Sequence, residues 1–120
     1  MPRVIHFEVH ADQPERAIKF YKNVFDWKIE KWPSMDYWLI TTGEKDEPGI
    51  DGAITPRMDK NTTVNTIGVD SIDKYVAKVL ASGGKVFQPK GPIPGVGYFA
   101  GCIDSEGNYF GLMQSDPNAK

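Results

Sequence analysis

The sequence predicts an α+β fold made of two βαβββ modules, with mixed sheets enclosing a pocket and a helix on the outer face of each sheet. Three observations predict it. A strand pattern runs straight into an amphipathic helix twice, at Val4–Tyr21 and again at Thr62–Leu80. Each helix is followed by short alternating or β-branched segments and not by another helix. A polar stretch bounded by turn formers, Pro56 to Asn61, divides the 120-residue chain nearly in half. Internal duplication is weighed before any other plan, and the reading is a single domain, 1–120, with modules at about 1–56 and 62–114.

The first strand places Ile5, Phe7 and Val9 on one side and His6, Glu8 and His10 on the other, because side chains alternate with period two. His10, beside the helix start, is expected at the surface or behind the site. Asp12 should cap the first helix, with Glu15 reaching back and Pro14 tolerated in the first turn. Ala17, Ile18, Tyr21, Val24 and Phe25 then form one apolar stripe facing a sheet. At Trp27–Trp32 the period changes to that of a strand, and Tyr37–Thr42, rich in aromatic and β-branched residues, pairs with it as a hairpin. Gly43–Gly49 is a polar loop. Ile50–Ile54 is a short strand with Gly52 in its middle, where a glycine usually signals a bulge or a close approach.

The second half repeats the plan. Thr62–Val69 is a β-branched strand, Asp70 or Ser71 caps a helix carrying Ile72, Tyr75, Val76, Val79 and Leu80 on one face, and Gly83-Gly84 stops it. Lys85–Gln88 starts another strand. Pro89–Gly97, with its prolines and glycines, reads as a turn-rich loop whose Gly91–Gly97 part could act as a mobile lid. Tyr98–Ile103 and Asn108–Gln114 are strands joined by Asp104-Ser105-Glu106-Gly107. The polar tail from Ser115 reads as loose.

Composition excludes several classes of function. Apolar residues make up 40% and charged residues 25%, and no apolar run approaches the ~20 residues needed to cross a bilayer, so no membrane partner is expected. A net charge of −2 with scattered lysines gives no footprint for nucleic acid. Cys102 is the only cysteine, which rules out an intramolecular disulfide and any cysteine cluster. A single thiol and the lack of a visible secretory signal make a cytoplasmic location the expectation.

The duplicated plan, together with the spacing His6-x13-Phe20-Tyr21 and the closing Asp104-Ser105-Glu106-Gly107-Asn108, resembles the vicinal oxygen chelate superfamily. That superfamily holds glyoxalase I, extradiol dioxygenases and the bleomycin and fosfomycin resistance proteins, and the chain looks most like uncharacterised lactoylglutathione lyase relatives. The resemblance implies four metal-ligand positions, on the first, fourth, fifth and eighth strands. His6 matches the first; the others fall near Gly52, near Val64 and at Gly111, where no donor stands. A one-residue slip would bring Asp51 or Asn65 into play but would turn a strand inside out. His6 alone is therefore the metal candidate, no cofactor is implied, and a divalent metal is not the expected occupant.

His6 and Glu8 remain as candidate catalytic residues, able to do general acid/base work beside a carbonyl, or to form a satisfied polar pair in a binding pocket. Trp38, Gly52, Thr66, Tyr98, Tyr109, Gly111 and Met113 are the candidate ligand-binding residues, glycines making room and aromatics forming the wall. Cys102 reads as a small inert hydrophobe. The expected partner is a small organic molecule. Three functions stay open: an enzyme of glyoxalase type, a sequestering protein of the bleomycin-resistance type, and a metal-dependent lyase or dioxygenase. The resemblance also implies a homodimer, with Trp27 and Trp32 as exposed aromatics that suit one.

Overall fold

The structure is a computed structural model that describes residues 2–120. Two compact units emerge, His6–Val64 and Asn65–Lys120, the latter taking in the residues up to Ile5.

The first unit contains β1 (Arg3–Ala11, from His6 onward), α1 (Pro14–Phe25), β2 (Lys28–Lys31), β3 (Trp38–Thr41) and β4 (Gly52–Pro56). Its strands lie in the order β2-β3-β4-β1. β1 and β4 run parallel, β2/β3 and β3/β4 antiparallel, which makes the sheet mixed. The βα connection imposes this, since two parallel strands need a long crossover whereas β2 and β3 need only a turn. The core is Ala11, Ile29, Ile40 and Ile54, covered by Phe7, Val9, Ala17, Ile18, Tyr21, Trp27 and Trp38. One face of this sheet is thereby assigned to α1.

Two expectations about α1 are corrected. The N-cap is Gln13, which makes no side-chain cap bond, with Pro14 in the first turn. Asp12 turns instead to Arg57, Nε donating to its carboxylate at 2.7 Å, since a charged fork offers a stronger partner than one backbone amide. At the other end Val24 and Phe25 stay in solvent, each 53% exposed. Phe25 stacks on Trp27 at 5.1 Å and Trp27 on Tyr21 at 5.3 Å, so the last turn closes over aromatic rings and not over the sheet. Trp27 and Trp32 are accordingly half-buried, not exposed.

The second unit contains β5 (Thr63–Gly68, from Asn65 onward), α2 (Ile72–Ala81), β6 (Lys85–Ile93), β7 (Gly97–Ile103) and β8 (Tyr109–Ser115), in the order β5-β8-β7-β6. It too is mixed: β5/β8 is parallel and the other two pairs antiparallel. α2 is capped by Ser71, whose hydroxyl accepts from Lys74 N at 3.2 Å, while the Gln114 side chain accepts from Ile72 N at 2.9 Å. Val69, Ile72, Ala100, Cys102 and Leu112 form the core. Cys102 is fully buried there, its thiol pushed up by burial.

The segment expected as a lid is strand. β6 continues through Gly91, Pro92 and Ile93, paired with Phe99, Tyr98 and Gly97, and only Pro94–Val96 turns. Prolines are tolerated because β6 ends the strand order and its register shifts twice, and an edge strand with bulges needs few amide donors. The tail is also held. Ala119 is buried, its carbonyl accepts from Gly95 N at 2.9 Å, and the Val96 carbonyl accepts from Asp116 N at 3.0 Å.

Candidate functional site

β1 turns His6, Glu8 and His10 to the side away from α1, as its alternation requires. Tyr37, just before β3, reaches the same side and joins them. Its hydroxyl donates to Glu8 Oε2 at 2.8 Å and lies 2.8 Å from His6 Nε2. The ring of His6 stacks nearly parallel to that of Tyr37, 18° between planes. Because the Tyr37 proton is directed to Glu8, its oxygen can only accept from His6, which puts the imidazole proton on Nε2 and leaves Nδ1 as a bare lone pair. Glu8 Oε1 is 3.4 Å from His10 Nε2, close enough to attract but too poorly aligned to hydrogen bond. His10 is 6% exposed, not a surface group; its Nδ1 accepts from Met58 N at 3.4 Å.

Burial lowers the His6 pKa below its ordinary value, against the raising influence of the Glu8 and Asp51 carboxylates. The neutral imidazole is therefore favoured. The Tyr37 phenol is pushed far up, first by burial, then by the charge of Glu8 and the hydrogen bond to it. Tyr37 is thus a bridge that keeps its proton and not an acid that gives it away. Asp51 precedes Gly52, the partner of Phe7 across the β1/β4 ladder, so the register sets Asp51 beside His6. Its carboxylate also accepts from Thr42 N at 2.8 Å.

That register corrects the placement of Gly52. It lies on the α1 side under Phe7: a Cβ there would fall 2.5 Å from the Phe7 carbonyl oxygen and 2.7 Å from its ring. Trp38 lies on that same side, opposite Ile54 and against the core. The aromatic residue on the His6 side is its neighbour Tyr37, which sequence reasoning missed. The available signal was Ile40: once it is assigned to the core, Trp38 follows it and Tyr37 must face the other way.

In the second unit, Thr66, Tyr109, Gly111 and Met113 do share a face. Thr66 pairs with Gly111, and Phe99 with Met113. Phe87 meets Tyr109 at 4.8 Å between ring centres. A Cβ at Gly111 would come within 2.6 Å of the Phe99 ring, so that ring fills the space the glycine leaves. Tyr98 lies on the opposite face, packed on the core under α2 with Lys90 5.0 Å over its ring.

This donor set does not fit a divalent ion of the kind the superfamily employs. His6 Nε2 is committed to Tyr37, Gly52 faces Phe7, and the Phe99 ring occupies the room at Gly111. Among the described residues no group of three or more His, Cys, Asp or Glu could hold a metal.

Comparison with known proteins agrees with this geometry at the level of fold. The chain is 28% identical over 113 residues to the curated "Putative glyoxylase CFP32" of Mycobacterium bovis and of Mycobacterium tuberculosis. That match takes in 92% of this chain and 43% of the relative, so the chain spans less than half the length of those relatives. A glyoxalase/bleomycin resistance protein/dioxygenase superfamily member from Vibrio splendidus 12B01 superposes with a TM-score of 0.67 at 13% identity, covering 97% of this chain and 100% of that one. Methylmalonyl-CoA epimerase from Mycobacterium tuberculosis superposes with a TM-score of 0.65 at 12% identity, over 95% and 88% of the two chains. At such identities the likeness establishes the fold and nothing finer. The profile described as Glyoxalase/Bleomycin resistance protein/Dioxygenase superfamily matches residues 3–112, nearly the whole chain, and the protein belongs to that superfamily.

Proposed function

We propose that the chain binds a small, uncharged organic molecule carrying a carbonyl group against the face of β1, and that His6 moves a proton on the carbon beside that carbonyl. The observation that carries this reading is the hydrogen-bonded row His6–Tyr37–Glu8. With Nε2–H held by Tyr37, Nδ1 is the nitrogen that can take a substrate proton and return it. As His6 becomes positive, the Glu8 carboxylate behind Tyr37 stabilises the charge across the bridging hydroxyl. The negative groups flanking His6, Glu8 and Asp51, oppose an anionic substrate and favour a neutral one.

A second reading, sequestration without turnover, is favoured by a specific observation: Tyr37 keeps its proton and the row is satisfied at rest, as a binding wall needs to be. Native mass spectrometry of the purified protein for a retained small molecule, followed by calorimetry with it, identifies the ligand class. Turnover that drops about a hundredfold or more in His6→Gln and Glu8→Gln, with binding changed only a few-fold, supports proton transfer. Binding with no turnover by the unmodified chain would favour sequestration. Stoichiometric uptake of nickel, zinc, manganese or iron(II) at micromolar concentration would overturn both readings in favour of a metalloenzyme.

A further inference from the structure

A recess of about 370 Å³ opens where the end of β1 meets the start of α1, its walls including Val9, His10, Arg16, Phe20, Tyr21 and Arg57. Its lining does not include His6, Tyr37 or Glu8, although His10 stands 3.4 Å from Glu8, and it does not depend on the function proposed above. Its size suits a small metabolite, near the low end of the roughly 300–1,000 Å³ of ligand pockets.

Its chemistry is mixed in a particular way. Arg16 is exposed and, among the described residues, no carboxylate lies within ion-pair reach of it. Arg57 is anchored through Nε to Asp12 at 2.7 Å and through one terminal nitrogen to the Asn61 carbonyl, leaving further guanidinium donors unused. Two guanidinium groups against one carboxylate give the mouth a net positive charge. Asp12 is spent on Arg57 and Gln13 makes no side-chain cap, so Glu15 is the acidic side chain left in the first turn of α1. The same recess is lined by an aromatic pair, Phe20 edge-on to Tyr21 at 5.2 Å, with Phe20 57% exposed and one helical turn from Arg16. The His10 side chain, 3% exposed, has its Nε2 3.4 Å from Glu8 Oε1, so the anion-binding donors of the recess are the two arginines.

We propose that this recess binds a small aromatic carboxylate, its acid group on Arg16 and Arg57 and its ring on Phe20 and Tyr21. A planar guanidinium matches a carboxylate in two parallel hydrogen bonds, and neither inorganic anion nor neutral arene would satisfy both walls. The arrangement also predicts weakening by salt, because Arg16 is open to solvent.

Benzoate is the probe. Titrated into the whole chain, it should shift the backbone amides of 13 and 15–20 in a saturable way in the millimolar range and perturb the emission of Trp27, which stacks on Tyr21. Benzamide, the same shape without the charge, should bind about tenfold more weakly, and so should Arg16→Ala, whose urea midpoint should not move because Arg16 is exposed and unpaired. Absence of saturation, equal binding by Arg16→Ala, or inorganic phosphate binding the same amides as tightly as benzoate would each overturn the proposal.

Discussion

Replacing Tyr37 by Phe removes one oxygen and leaves two groups without their partner, His6 Nε2 and Glu8 Oε2. A half-buried carboxylate stripped of its donor costs more than the bond it replaces contributed, so the variant should lose about 1–3 kcal/mol in urea unfolding. Nitrogen-15 shifts of the His6 ring should at the same time show both tautomers populated, since nothing then fixes the proton on Nε2. His6 also sets a pH dependence whose sign follows from its lowered pKa. Folded His6 takes up a proton less readily than unfolded histidine, so below the ordinary value of 6.5 the unfolded chain binds more protons. Its stabilising contribution is therefore complete above 6.5 and is lost as pH falls below it. The urea midpoint should drop between about pH 7.5 and about pH 5.5, and His6→Gln should flatten the decline. Strand alternation made His6 and Glu8 legible from the sequence. Tyr37 was not, because its partners lie 31 and 29 residues away and only the β3 register decides which of Tyr37 and Trp38 faces them.

Among the elements, the two helix starts make a contrast that mutation can expose. Ser71→Ala removes a true cap and should cost about 1 kcal/mol. Asp12→Ala removes an exposed ion pair instead, and should change stability by less than about 1 kcal/mol, the loss shrinking further in high salt. Both starts read alike in sequence, since an acidic or hydroxyl residue precedes each helix; the difference lies in Arg57, far along the chain and invisible to a local motif. Gly52→Ala tests the strand β4, where a methyl group would meet the Phe7 carbonyl at 2.5 Å and the Phe7 ring at 2.7 Å. It should destabilise by about 1–3 kcal/mol, measured by chemical denaturation. β6 shows where composition misleads. Prolines and glycines at 89–97 signal a loop, yet an edge strand with two register shifts accommodates them, because it pairs on one side only and its ladder is interrupted.

For the molecule as a whole, the duplicated βαβββ order was the most legible feature, since two changes of hydrophobic period in each half are hard to produce by any other plan. Each half has the mixed four-strand order that plan implies. What the sequence left open were facings, and these are set by pairings between segments distant in the chain. Homodimer formation, proposed from the resemblance, finds a physical motive in Val24 and Phe25, which remain in solvent on α1. Light scattering at micromolar concentration should give twice the 13.4 kDa chain mass, and Phe25→Glu should return it to one chain. The room left by Gly111 carries a lesson for redesign. Writing a glutamate there, the obvious first move for anyone wishing to build an iron or nickel enzyme on this scaffold, would set its stem against the Phe99 ring. Such a conversion would have to begin by shrinking Phe99, so neither substitution is useful without the other and stepwise selection would have no gradient to climb.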